Sequence, residues 1–226
     1  MDGRAIRLFP QQNGARLGLM PVKVDQKPGV YALEFSGGAL KVVVRDARFP
    51  SQNVVLGKEL AELKASPGEM EAVAKFKDTV SDERRWAEPF VPPVPGCITS
   101  PYGVRRLHNG KPTGNYHTGL DQRAREGQPI RAIAGGVVRL SGHFSLHGNT
   151  IGVDHGQGLE SIYLHMSRFA VSDGDAIGKG AIIGYAGSTG RSTAAHLHWS
   201  VYANGIAVNP LQWVSLKPCA KPPRPR

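Results

Sequence analysis

Two short histidine-bearing motifs, His117-Thr-Gly-Leu-Asp121 and His196-Leu-His198, lie far apart in the 226-residue chain, with His165 between them. These are the residue types of a catalytic zinc centre, which takes three ligands from His, Asp, Glu or Cys and keeps a fourth position open for water or substrate. In a strand, residues i and i+2 share a face. The alternation in His196-Leu-His198 therefore predicts two imidazoles looking one way and Leu197 pointing into a core. One of the pair would bind metal while its neighbour sits beside the open position. In the other motif a carboxylate follows a histidine by four residues. That spacing lets both converge on one ion from a helix or from a turn entering a strand, and Gly119 favours the turn. Neither motif is specific by itself; their flanks, Gly187-Ser-Thr-Gly-Arg191 and Gly114-Asn-Tyr116, strengthen them.

A metal centre must be held tightly, and the neighbouring sequence predicts the scaffold. Trp199, Val201 and Tyr202 have high strand propensity and place the histidine pair on a sheet. Other apolar runs bounded by Gly and Asn follow the same pattern, among them Gly135-Gly-Val-Val-Arg-Leu140, Thr150-Ile-Gly-Val153 and Ala181-Ile-Ile-Gly-Tyr185. An antiparallel sheet with little helix is expected over the second half.

Taken together, these residues resemble the lysostaphin-type, or LytM-like, zinc metallopeptidases, which cut the peptide part of bacterial peptidoglycan. The resemblance runs from about Pro95 to Val214. It includes Thr99-Ser-Pro-Tyr-Gly-Val-Arg-Arg106, Ala132-Ile-Ala-Gly-Gly-Val137, Gly148-Asn-Thr-Ile-Gly-Val-Asp-His-Gly156, Tyr163-Leu-His165, Gly184-Tyr-Ala-Gly-Ser-Thr-Gly190 and Val208-Asn-Pro210, besides the two motifs. It implies one catalytic zinc ion held by His117, Asp121 and His198, with His165 and His196 as catalytic histidines. Two departures stand out: Met166 where Leu is usual, and Gln122 where an apolar residue is commoner. The motif H-E-x-x-H, whose Glu is the general base of other zinc peptidases, is absent, so a histidine must move the proton. The implied function is a zinc metalloendopeptidase that hydrolyses peptide cross-links of peptidoglycan. D-alanyl to diaminopimelate bonds and glycine bridges both remain open, and the organisation resembles enzymes of Gram-negative bacteria. Two alternatives are a non-enzymatic LytM-like regulator of wall amidases, which the five intact residues oppose, and an autoinhibited enzyme whose N-terminal module or linker covers the groove.

The first half carries no chemical motif. Short runs such as Val30-Tyr-Ala-Leu-Glu-Phe35 and Leu40-Lys-Val-Val-Val-Arg45 predict a small β-sandwich over residues 1–60, and the resemblance to family members with a similar N-terminal stretch implies that it is immunoglobulin-like. Ser66-Pro-Gly-Glu69 has the form of a capping box with proline at the first helical position, and predicts a helix over about 67–87. Met70, Val73, Phe76 and Val80 form its apolar stripe, and Pro89 to Pro95 a stiff extended connection. The expected organisation is mainly β: a sandwich over 1–60, a helical and proline-rich linker over 61–94, a peptidase domain over 95–216, and an extended tail over 217–226.

From residue 89 onward the chain holds 14 Lys plus Arg against 6 Asp plus Glu, whereas residues 1–88 hold 14 against 12. A basic surface attracts polyanions such as wall polymers, but it also serves solubility. No basic run is interleaved with aromatics and no finger or helix-turn-helix spacing occurs, so no nucleic-acid partner is expected. Peptidoglycan peptides are the expected partner. Only Cys97 and Cys219 are present; they bracket the peptidase domain, whose ends should lie close together. A disulfide is expected in an oxidising compartment, the alternative being two buried thiols. No apolar leader follows Met1 and no run is long enough to cross a bilayer. A periplasmic or secreted location is expected from the substrate. Of the other histidines, His143 and His147 read as solvated residues of a surface loop and His155 as structural; His108 competes with them without a motif of its own.

Overall fold

The computed structural model describes residues 5–35 and 37–220. Strands account for 42% of the chain and helix for 8%, so the chain is mainly β. The N-terminal part contributes β1 (Phe9–Pro10) paired with β2 (Arg16–Leu17), the hairpin β3 (Gly29–Phe35) and β4 (Gly38–Val44), and β5 (Ser51–Val54). Helices α1 (Lys58–Glu62) and α2 (Glu69–Lys77) follow. The remaining strands are β6 (Ile98–Ser100), β7 (Arg105–His108), β8 (Lys111–Tyr116), β9 (Leu120–Arg123), β10 (Pro129–Arg131) and β11 (Gly136–Phe144). After them come β12 (Gly148–Gly156), β13 (Leu159–Phe169), β14 (Ala176–Ile177), β15 (Ile182–Ala186), β16 (His196–Ala203) and β17 (Ile206–Val208).

Ten of these strands form one sheet in the order β14-β11-β12-β13-β16-β9-β6, extended by β15 and β10 beside β13 and by β17 beside β16. Every pairing in it is antiparallel. Its central strand β13 is buried along most of its length because both faces are covered. On one face Leu120, Ile133, Ile151, Tyr163, Leu197 and Trp199 are wholly buried in the main core, each contributing roughly 1.5–3 kcal/mol. On the other, Val73 and Phe76 of α2 pack with Leu140, Ile162 and Leu164. A Cβ at Gly152 would stand 2.8 Å from the Phe76 ring, so the helix seats where the strand lacks a side chain.

Among the described residues of 1–60 the expected sandwich does not form. The pairs β1–β2 and β3–β4 and strand β5 belong to three separate sheets, and Val30, Leu40 and Val43 stay exposed. The apolar runs do mark strands, but a sandwich needs two facing sheets to cover them. Instead β5 adds in parallel to β7, making a three-stranded sheet with β8.

The expected helix over 67–87 is shortened to Glu69–Lys77. Tertiary contacts override its apolar stripe: the chain leaves the helix to lie against the β12–β13 turn, where Gln157 N–H donates to Ser81 O at 2.7 Å and Arg85 N–H to His155 O at 2.9 Å. Val73 and Phe76 are buried, whereas Met70 and Val80 are exposed. The stretch from Pro89 to Pro95 forms bends and coil, and Phe90 and Val94 are buried in the main core. Cys97 and Cys219 form the expected disulfide, with Cα atoms 4.9 Å apart. It pins the start of the tail beside β6, where Cys219 N–H donates to Ile98 O; residues 221–226 lie outside the described residues.

Candidate metal centre

Sheet register assembles the centre. Strands β9 and β16 are neighbours, with His198 opposite Asp121 and His196 opposite Arg123. Opposed residues present their side chains to the same face, so Asp121 and His198 meet while Leu197 enters the core, as the alternation predicts. His117 arrives from the end of β8 through Thr118 and Gly119. A Cβ at Gly119 would fall 2.4 Å from Trp199 O and from Ser200 Oγ, so the turn can approach β16 only with glycine there.

Three ligand atoms converge: His117 Nε2 lies 3.0 Å from Asp121 Oδ1 and from His198 Nδ1, and His198 Nδ1 lies 2.8 Å from Asp121 Oδ1. Their outward atoms are tied back. His117 Nδ1 is 2.9 Å from Pro101 O and therefore carries the proton it donates there. His198 Nε2 is 3.2 Å from Ser200 Oγ, and Asp121 Oδ2 accepts from Arg106 Nη2 at 2.9 Å. The inward atoms of this arrangement are two imidazole lone pairs and a carboxylate oxygen, which repel unless a cation stands among them. Their separations are close to the edge of about 3.3 Å of a tetrahedron with bonds of about 2.0–2.1 Å, so the donor set fits zinc. Among the described residues it is the one group of three His, Cys, Asp or Glu ligand atoms lying within 4.8 Å of one another. Burial would raise the Asp121 pKa, but its close contacts with His117 and His198 hold it well below the carboxylate range. Burial, chiefly, brings His198 down to about 4.

His165 and His196 stand next to this cluster. Their ring centroids are 5.1 Å apart, and that of His165 is 6.3 Å from His198. His196 Nε2 lies 3.9 Å from Asp121 Oδ1. Each Nδ1 is bonded to a carbonyl, His165 to Thr189 O and His196 to Ala194 O, both at 2.8 Å. A carbonyl only accepts, so both protons sit on Nδ1 and both Nε2 atoms are left as acceptors. Burial first, then His198 and His196, lowers the His165 pKa to about 3. His165 has φ +61° and sits in a bulge where β13 spends one more residue than β12 between the pairs Ile151↔Tyr163 and Asn149↔Met166. A bulge re-aims a side chain; its backbone is held by His147 O, which accepts from His165 N–H at 3.1 Å.

Residues 115–210 match peptidase family M23. The chain carries an M23 peptidase domain. The DD-carboxypeptidase/endopeptidase Mpg of Neisseria meningitidis serogroup B is 43% identical over 114 residues, covering 50% of this chain and 26% of that protein. The chain thus spans about a quarter of the length of that curated relative. A crystal structure assigned to peptidase M23 from Pseudomonas aeruginosa superposes with a TM-score of 0.71 at 25% identity, covering 94% of this chain and 84% of that one. A zinc-containing peptidase from Vibrio cholerae gives a TM-score of 0.50 at 29% identity over 56% of this chain and 39% of that one.

All five residues singled out in the sequence gather at one place in the M23 domain. The two departures from the family pattern are structural: Met166 is buried, and Gln122 accepts from Trp199 Nε1 at 2.8 Å while donating to Gly96 O at 2.7 Å. Sequence reasoning missed the residues behind the five. Arg106, Ser100 and Thr189 stand in quoted motifs, so the signal for them was present without a role; Gln52 had none. Thr189 holds His165 through its carbonyl and, through Oγ1, accepts from Asn149 N–H and donates to Met166 O. His147 is not a solvated loop residue, since its Nδ1 is 2.6 Å from Oε1 of the buried Glu69. His143 is exposed and bonds Asn149, and His155 is structural, buried between Gly135 O and Ser161 Oγ. His108 lies near Arg191 and Arg106; burial and those cations lower its pKa.

Proposed function

We propose that this protein is a zinc-dependent endopeptidase that hydrolyses peptide cross-links of bacterial peptidoglycan. The observation that carries this reading is the convergence of His117 Nε2, Asp121 Oδ1 and His198 Nδ1 beside two further imidazoles with free Nε2 atoms. His117, Asp121 and His198 would hold the ion, which when bound would supply Lewis acidity toward a water and the scissile carbonyl. His165 and His196 are the catalytic histidines: one takes the proton from the attacking water on Nε2 and returns it to the leaving amine, and the other supports the oxyanion. We assign the peptidase domain to residues 95–216. The disulfide and the proposed substrate support a periplasmic or secreted location, since such bonds persist in oxidising compartments.

Full-length protein incubated with purified cross-linked wall should release new amino termini, stop with a chelator and recover with zinc. Mass analysis of the released muropeptides then separates D-alanyl to diaminopimelate cleavage from cleavage of glycine bridges. His198→Ala should lose zinc by metal analysis. His165→Ala should keep zinc and lose about 10²–10⁴-fold in turnover, the range for a general acid–base group. Equal zinc loss in the two variants overturns the division of roles. Zinc uptake with no release of amino termini by the full chain favours the regulator instead.

A further inference from the structure

Gln52 lies on β5, outside the segment that matches family M23, yet it reaches the back of the metal centre. Its Oε1 is 2.6 Å from Arg106 Nη1 and 2.6 Å from Ser100 Oγ. A guanidinium only donates, so the amide must face Arg106 with its oxygen, and the Ser100 hydroxyl donates to the same atom. Arg106 gives its other arm, Nη2, to Asp121 Oδ2. Ser100 Oγ in turn lies 3.4 Å from His117 Nδ1. One amide oxygen therefore fixes the partners of two of the three residues that hold the ion.

The arrangement has a chemical consequence. An arginine beside a carboxylate tends to take both oxygens in a bidentate fork. Here Nη1 is drawn to Gln52, so Arg106 engages Oδ2 alone and leaves Oδ1 for the ion. We infer that Gln52 is a positioning residue of the metal centre, and that β5 completes the site by steering Arg106 away from the ligating oxygen of Asp121. This rests on the zinc reading above.

The test uses the full chain and reads the zinc dissociation constant by competition with a chromophoric chelator, with circular dichroism and thermal melting of the metal-free protein alongside. Gln52→Leu and Gln52→Ala remove the acceptor that holds Arg106 and Ser100 and should weaken zinc binding by about tenfold, the lower end of the roughly 10–100-fold lost with a direct partner of a ligand. Gln52→Glu keeps acceptor oxygens and should restore binding to near that of the unsubstituted protein. Asn53→Ala is the control on the same strand: it removes the 2.7 Å bond from Gly110 N–H to Asn53 Oδ1 and should leave zinc binding unchanged. Unchanged binding in Gln52→Leu and Gln52→Ala, or an equal loss in Asn53→Ala, overturns the inference. An unsubstituted chain that takes up no zinc overturns the zinc reading itself and this inference with it.

Discussion

Asp121 on β9 and Glu160 on β13 are carboxylates of the same ten-stranded sheet, and their surroundings drive them in opposite directions. Asp121 is met by His117, His198 and Arg106 and stays ionised. Glu160 is wholly buried opposite Asp154, and neither of its oxygens has a partner of good hydrogen-bond geometry; the Gly205 backbone offsets the burial only in part. Burial first, then Asp154 and Asp78, raises its pKa to about 9. Glu69 is the third case. It too is shut off from solvent, though less deeply than Glu160, and hydrogen bonds from His147 and Ser66 overcome the burial and hold it at about 2. Burial alone does not set the charge of a carboxylate; the donors around it do. Where a charge must hold an ion or a loop, the fold surrounds it with donors, and where they are missing the group keeps its proton and acts as a neutral side chain.

The comparison can be broken most sharply at Asp121. Asp121→Asn keeps the shape but removes the charge and a ligand. It should abolish zinc uptake and lower turnover by on the order of 10³-fold or more, since the charge that stabilises the transition state leaves with the ion. Metal analysis and the release of amino termini check it. Full zinc occupancy in this variant would falsify the assignment of Asp121 as a ligand.

How much of this was legible in the sequence depends on distance along the chain. The faces of His196, Leu197 and His198 follow from period two alone, and the entry turn at Gly119 from glycine's place in the motif. The mainly β character follows from the apolar runs. The bulge at His165 does not, because an extra residue in a strand leaves no mark on composition. Nor does the fate of residues 1–60, since strand propensity says where strands form and not which partners they choose. Glu69 is instructive. Its capping relation to Ser66 is readable and is partly realised, Ser66 N–H donating to Glu69 Oε2 at 2.8 Å. Its larger task, binding a loop more than seventy residues away, has no local signal.

The next effect in size is at Glu69, the buried carboxylate that is charged without a metal. It accepts from the backbone N–H groups of Ser145, Leu146 and His147 as well as from Ser66, and the same loop supplies the carbonyl that holds His165 N–H. Glu69→Ala leaves those donors without partners and should cost roughly 3 kcal/mol or more by urea denaturation at pH 7. The pH dependence carries a sign. The folded pKa, about 2, lies below the ordinary 4.5, so this contribution is complete above about pH 4.5 and fades as pH falls toward 2. The destabilisation of Glu69→Ala should therefore shrink between pH 5 and pH 3. A gap that stays constant over that interval would show that Glu69 acts by packing rather than by charge.

The smallest effect tests the other side of the comparison. With a folded pKa of about 9 against an ordinary 4.5, Glu160 keeps in the folded state a proton that the unfolded chain releases. Its contribution is complete below about pH 4.5 and is lost progressively as pH rises toward 9, by up to about 1.4 kcal/mol per pH unit. Glutamine has the shape of the protonated acid and cannot ionise, so Glu160→Gln should match the unsubstituted protein near pH 4 and exceed it at pH 8 by on the order of 1 kcal/mol or more. Urea midpoints at pH 4, 6 and 8 measure the gap. Every other titrating group, Glu69 included, is common to both proteins and drops out of the difference. Parallel curves would mean that Glu160 is charged in the folded state and that its surroundings resemble those of Asp121 after all.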